Sequence, residues 1–148
     1  MKKNIFLILV FAFVACNEPM GKDSHDINWT SDYSGFKFSK KKQKAEVSIP
    51  SEGGRYLFVS DDSCLGFGEF KLTNFPNSIF YNGVDSVYCE NCFSACFNDR
   101  GGLRGGTKFT ITFQTNTSAE DRVLTFGVSP CTADAYTEFI FTQQAKSN

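Results

Sequence analysis

Strict alternation of apolar and polar residues in the last third of the chain is the feature that most constrains its fold. One run places Phe109, Ile111 and Phe113 on one face, with Lys108, Thr110, Thr112 and Gln114 on the other. A second run beyond the polar loop 116–121 repeats the pattern with Leu124, Phe126 and Val128. A period of two is typical of strands with one buried face, so these segments predict sheets packed on each other.

Shorter alternating segments at 36–38, 45–49 and 55–59 extend the pattern upstream, and segment 139–142 closes the chain. The turn residues 50–54 lie between two of these segments, so we expect a hairpin there. The i, i+3, i+4, i+7 stripe of an amphipathic helix does not occur in this part of the sequence. We therefore predict an all-β, antiparallel β-sandwich of about seven to eight strands.

The amino terminus has the layout of a secretory signal peptide. Lys2 and Lys3 precede an unbroken apolar run from residue 5 to residue 14, and Ala15 stands just before Cys16. The run is shorter than the roughly 20 residues that a membrane-spanning helix needs. The small residue followed by cysteine resembles the lipobox of bacterial lipoproteins, which implies cleavage before Cys16 and its acylation.

These features predict a signal peptide at 1–15, a lipidated Cys16 with a flexible tether over 16–30, and one domain over 31–148 that includes cysteine-rich loops at 61–106. The lipid anchor would hold the protein to a membrane without a spanning helix. We expect a cell-envelope location, at the outer membrane or cell surface.

Charge and composition exclude several functions. Loss of Lys2 and Lys3 with the signal peptide lowers the formal charge from −1 to −3, which gives no general attraction for nucleic acid. The single histidine, His25, lies in the predicted tether, where it could not serve as a positioned catalytic base. We assign no catalytic residue, cofactor or metal, and we expect a protein that is not an enzyme.

Five cysteines remain after Cys16, and three interpretations of them are open. In an oxidising compartment we expect disulfides, and two bridges with one odd thiol allow about 15 connectivities. The alternatives are a zinc site with Cys64, Cys89, Cys92 and Cys96 as ligands and a redox-active Cys-x-x-Cys pair at 89–92. The disulfide candidates are Cys64, Cys89, Cys92, Cys96 and Cys131.

Aromatic side chains in the irregular middle of the chain are the candidate ligand-binding residues. Sugars stack their apolar faces on aromatic rings, while neighbouring polar groups bind the hydroxyls. Loops on a rigid scaffold are a common place for such residues. The glycan-binding candidates are Tyr81, Tyr88, Phe67 and Phe70.

Two parts of the sequence resemble the BACON domain, a bacterial family proposed to bind carbohydrate or mucin. Segment 106–126, with its Asn116 turn and Arg122, and the Thr142-Gln143 close are similar to the end of that domain. Segment 47–54 is similar to its opening strand and Gly-Gly turn. The resemblance implies an immunoglobulin-like sandwich on a surface lipoprotein.

We therefore predict a non-catalytic, lipid-anchored surface protein that recognises a mucin or polysaccharide glycan. The alternative is a structural spacer or assembly module that contacts another envelope protein. A third interpretation is thiol–disulfide chemistry at Cys89 and Cys92.

Overall fold

The computed structural model describes residues 26–39, 43–62, 64–83, 86–97, 104–106, 108–131 and 135–147. These residues form thirteen β-strands and no helix: β1 Trp29–Ser31, β2 Phe36–Ser39, β3 Lys44–Ile49, β4 Gly54–Ser60, β5 Leu65–Phe67, β6 Lys71–Thr73, β7 Ile79–Asn82, β8 Ser86–Cys89, β9 Phe93–Phe97, β10 Arg104–Gly106, β11 Lys108–Phe113, β12 Arg122–Pro130 and β13 Thr137–Gln143. Within this part of the chain, no helix long and apolar enough to cross a membrane occurs.

The strands form two sheets, as the alternation predicts. The front sheet has the order β1-β4-β11-β9-β8-β7, and the back sheet has the order β10-β5-β12-β13-β3-β2, with β6 also paired to β12. The prediction of an all-β sandwich is confirmed. The described strands outnumber the predicted seven or eight because several are edge strands of three or four residues, too short to show a period. One pair, β3 with β13, is parallel.

Between the sheets lies a core made mostly of phenylalanine. The largest fully buried aromatic side chains come from both sheets: Phe58, Phe93, Phe97, Phe109, Phe126, Phe139 and Phe141. Phe109 contacts rings of both sheets, with centroids 4.9 Å from Phe58 and 5.1 Å from Phe139. Full burial of such a side chain contributes about 1.5–3 kcal/mol, so this cluster dominates the stability of the fold.

The predicted hairpin at 50–54 is wrong. β3 pairs with β2 and β13 in the back sheet, whereas β4 pairs with β1 and β11 in the front sheet. The turn is a crossover between sheets, and it needs glycine because Gly53 has φ +81° and a Cβ there would collide with the carbonyl oxygen of Phe113. Alternation along two strands does not indicate whether they share a sheet.

The described domain begins earlier than the predicted boundary at residue 31. Ile27 is buried, and Trp29 starts β1 beside β4. The Trp29 indole N–H donates to the Thr137 hydroxyl, and its ring meets Phe139 edge-on at 4.9 Å. Residues 26–30 are therefore part of the sandwich and not of a tether. The signal segment 1–15 and Cys16 lie outside the described residues.

Candidate functional site

The outer face of the front sheet is the candidate site. Its residues are the outward-facing ones of strands in which every second side chain is buried. On β8 and β9, Val87, Cys89, Phe93, Ala95 and Phe97 point into the core. The residues between them must then project outward, because successive side chains of a strand alternate between faces.

Register aligns the outward residues into two rows that cross five strands, from β7 through β8, β9 and β11 to β4. One row consists of Phe80, Tyr88, Ser94, Thr112 and Arg55. The second row consists of Asn82, Ser86, Cys96, Thr110 and Leu57. With strands about 4.8 Å apart, each row spans roughly 19 Å.

An exposed aromatic pair occupies the β7–β8 end of the first row. Phe80 is 50% exposed and Tyr88 is 40% exposed, and their rings stack with centroids 5.6 Å apart at an interplanar angle of 24°. Large apolar side chains are otherwise exposed in the described residues only at Tyr81 and Tyr136. The pair therefore offers a flat apolar surface next to a row of polar groups.

A shallow depression of about 560 Å³ follows the two rows. Its walls combine the Tyr88 ring with hydroxyl, amide and guanidinium groups; the lining residues are Arg55, Asn82, Ser86, Val87, Tyr88, Ser94, Ala95, Cys96, Thr110 and Thr112. The hydroxyls both donate and accept hydrogen bonds, and the guanidinium only donates. The ten described residues that line the depression include no Asp, Glu or His, and their side chains offer mainly hydrogen-bonding groups and one aromatic ring.

Two further depressions continue the first one into a trough. One of about 510 Å³ shares Tyr88 and Ser94 with it and extends towards Glu90. Another of about 360 Å³ shares Arg55 and Thr110 with it and extends towards Asp32 and Lys108. The first and third depressions run across the strands, along the direction of the two rows, and the second extends the trough along β8 towards the β8–β9 turn.

The structure separates the four glycan-binding candidates. Tyr88 lies in the trough. Tyr81 is 58% exposed but pairs with Val87, so it projects from the opposite face of β7. Phe67 and Phe70 lie outside the trough: the half-buried Phe67 ring packs 4.3 Å from Phe97, and Phe70 is only 8% exposed. Phe67 ends β5 of the back sheet and packs against the core, and Phe70 lies between β5 and β6 within the core cluster.

The sequence pattern alone does not identify most polar residues of the trough. It predicts only that Thr110 and Thr112 lie on the solvent side of a strand, and it does not distinguish Arg55 and Ser94 from other polar residues. These four residues share an outward position on a strand, and the register of the sheet then places them near Tyr88.

The cysteines are divided among three environments. Cys64 and Cys131 are at disulfide distance, with Cα atoms 5.4 Å apart, where β5 meets the end of β12. Cys89 and Cys92 are buried thiols, and Cys96 is an exposed thiol on the outer face of the front sheet. The expectation of a second bridge is not met.

The two alternatives for the cysteines also fail in the described residues. Zinc would need Cys64, which is bonded to Cys131, together with Cys96 and Cys89, which face opposite sides of the front sheet. The described residues contain no group of three or more potential metal ligands. Burial raises the pKa of Cys89 from its ordinary 9.0 to about 12, with the hydrogen-bonded Cys92 thiol adding to the effect. A thiol held protonated in this way is a poor nucleophile.

A buried polar cluster lies beneath the turns at the end of the sandwich that contains Cys89. Gln143, at the end of β13, donates from Nε2 to the carbonyl oxygens of Ser51 and Gln114. Its partner in register, Arg122, is 5% exposed and lies over the Phe75 ring at 5.8 Å. Asn116 makes four side-chain hydrogen bonds that hold loop 116–121. This cluster organises chain crossings and lies apart from the trough.

No protein-family model and no curated protein matches this chain. A solved structure, the NMR structure of a protein from Bacteroides thetaiotaomicron, is similar to it at 20% sequence identity with a TM-score of 0.57. The similarity covers 88% of this chain and 96% of that protein. At this identity the likeness shows a shared fold and nothing about the ligand.

Proposed function

We propose that this chain is a non-catalytic, lipid-anchored surface protein of the BACON type that recognises glycan, from mucin or from polysaccharide, through the outer face of its front sheet. One observation carries the proposal: the stacked, exposed Phe80 and Tyr88 rings stand at the end of two rows of hydroxyl, amide and guanidinium groups. Exposed aromatic patches with polar borders are typical of binding surfaces.

A sugar has an apolar C–H face and polar hydroxyl groups, and the trough offers suitable partners for both. The C–H face of a pyranose packs on an aromatic ring, and this contact contributes to the binding free energy in proportion to the apolar area that it buries. The hydroxyls of the sugar then need partners, and Ser94, Thr110, Thr112 and Asn82 supply donors and acceptors along the trough.

Binding of the purified protein to mucins and to plant polysaccharides, measured by calorimetry, tests the proposal. Tyr88→Ala and Phe80→Ala should each weaken binding by about tenfold, as expected for loss of one stacked ring. Tyr81→Ala is the matched control, because this tyrosine is at least as exposed on the same strand pair but faces away from the trough. Equal loss of affinity in all three variants would contradict the site.

Absence of binding across the panel would instead favour the spacer or assembly role. The proposed anchor is tested separately by membrane fractionation of the full chain and of its Cys16→Ala variant. Release of that variant into the soluble fraction is expected; retention of it at the membrane would refute lipidation at Cys16.

A further inference from the structure

We propose that the glycan is an acidic, linear polysaccharide and that Arg55 binds its anionic group. This inference rests on the proposed function, and it concerns the class of ligand that the same trough selects. Its basis is the length of the trough and the position of a cation within it.

The shape of the trough favours the interior of a chain over a terminal sugar. Three depressions share lining residues and together cross the sheet from β7 and β8 to β4. Tyr88 and Arg55 are the second and fifth residues of one row, so three strand spacings, or roughly 14 Å, separate them. One monosaccharide cannot touch both side chains, whereas successive sugars of an extended chain can.

The charge of the trough is concentrated at Arg55. It is the one formally charged side chain among the ten described residues that line the central depression. It is exposed, and in the described part of the chain no carboxylate forms an ion pair with it. Arg55 therefore presents its planar donors to solvent on the floor of a binding surface, which suits a carboxylate or sulfate.

The charges of the adjoining depression offset each other and leave that of Arg55. Asp32, whose carboxylate accepts a hydrogen bond from the backbone N–H of Leu57, and Lys108 carry opposite formal charges there. Glu90 lies in the depression beyond Tyr88, towards the β8–β9 turn. Among the described residues, the central depression thus carries one positive charge on a protein whose proposed mature form has a formal net charge of −3, so the cation is a local feature of this face.

The test compares polygalacturonate with the same polymer after its carboxylates have been reduced to alcohols, and with a linear sulfated polymer, carrageenan. The protein should prefer an acidic polymer to the reduced one by about three- to tenfold at low salt, and added salt should abolish the preference. Arg55→Gln should bind the acidic and reduced polymers equally, while Arg55→Lys should keep part of the preference. Lys71→Gln, which removes one positive charge from the back sheet, should retain it fully.

The outcomes distinguish failure of the acidic-ligand proposal from failure of the proposed glycan binding. Equal binding of acidic and reduced polymers by the native protein would overturn the acidic class and leave glycan recognition standing. A preference that survives Arg55→Gln would overturn the role of Arg55. Preference for polygalacturonate or for carrageenan decides between carboxylate and sulfate. Binding of galacturonate monomer as tight as that of a hexamer would overturn the extended trough. Failure to bind any polymer would refute the proposed function itself.

Discussion

Removal of the Cys64–Cys131 bridge gives the sharpest test of the architecture. The two cysteines are 67 residues apart, so the bridge closes a loop that holds most of both sheets. The loop-entropy relation predicts that such a bridge destabilises the unfolded chain by about 4.4 kcal/mol. The paired Cys64→Ser and Cys131→Ser variant should lose about this much stability. The backbone hydrogen bond from Cys131 N to Cys64 O, 3.1 Å long, can remain in it.

Urea unfolding measured by the fluorescence of the single tryptophan is a suitable assay. Trp29 packs edge-on against Phe109 and Phe139, so its emission reports the core between the sheets. With a slope of about 2 kcal/mol per molar urea, the midpoint should fall by roughly 2 M.

Cys96→Ser is the control, because this exposed thiol is free and its loss should leave the midpoint unchanged. Dithiothreitol should lower the midpoint of the native protein to that of the double variant and should not affect the double variant further. A midpoint shift below about 0.5 M with an unchanged slope would refute the loop-entropy argument or the pairing itself.

Four further predictions concern the buried polar groups and the free thiols. Arg122→Met should leave the free energy of unfolding unchanged or raise it by up to about 2 kcal/mol in urea titrations, because Nε and Nη1 are buried without a partner among the described residues. Asn116→Ala should lower it by about 2–4 kcal/mol in the same titrations, since four hydrogen bonds are lost. In the folded protein, iodoacetamide should label Cys96 rapidly and Cys89 and Cys92 only after unfolding, as read by peptide mass spectrometry. Because the folded state keeps the Cys89 proton that the unfolded chain releases above pH 9, stability should fall as pH rises from 9 towards 12.

The alternating pattern was sufficient to predict the fold class and the inward residues of the long strands. Phe109, Ile111 and Phe113, which share one face in the sequence, are all buried in the structure. The period of a strand specifies which side chains share a face, because it follows from local backbone geometry. It does not specify the partner strand, and the hairpin predicted at 50–54 failed for that reason.

The binding surface was harder to predict because it depends on register between distant strands. Phe67 and Tyr88 both lie in the irregular middle of the sequence, yet one packs against the core and the other is exposed. Arg55 comes within reach of Thr112 only through the pairing of β4 with β11. The cysteines follow the same rule, since the pairing of Cys64 with Cys131 requires β5 to lie beside β12.

The position of the aromatic pair also discriminates between the two functional classes. β7 is an edge strand of the front sheet, and a protein partner that added a strand there would bind its backbone groups. The rings of Phe80 and Tyr88 project from the face of the sheet, perpendicular to that edge, and strand addition would not use them. A ligand that lies across the strands would use the rings and leave the edge free. Tyr88→Ala therefore removes part of the proposed glycan surface but preserves the edge for a strand, so its effect on binding assigns the face or the edge as the functional surface.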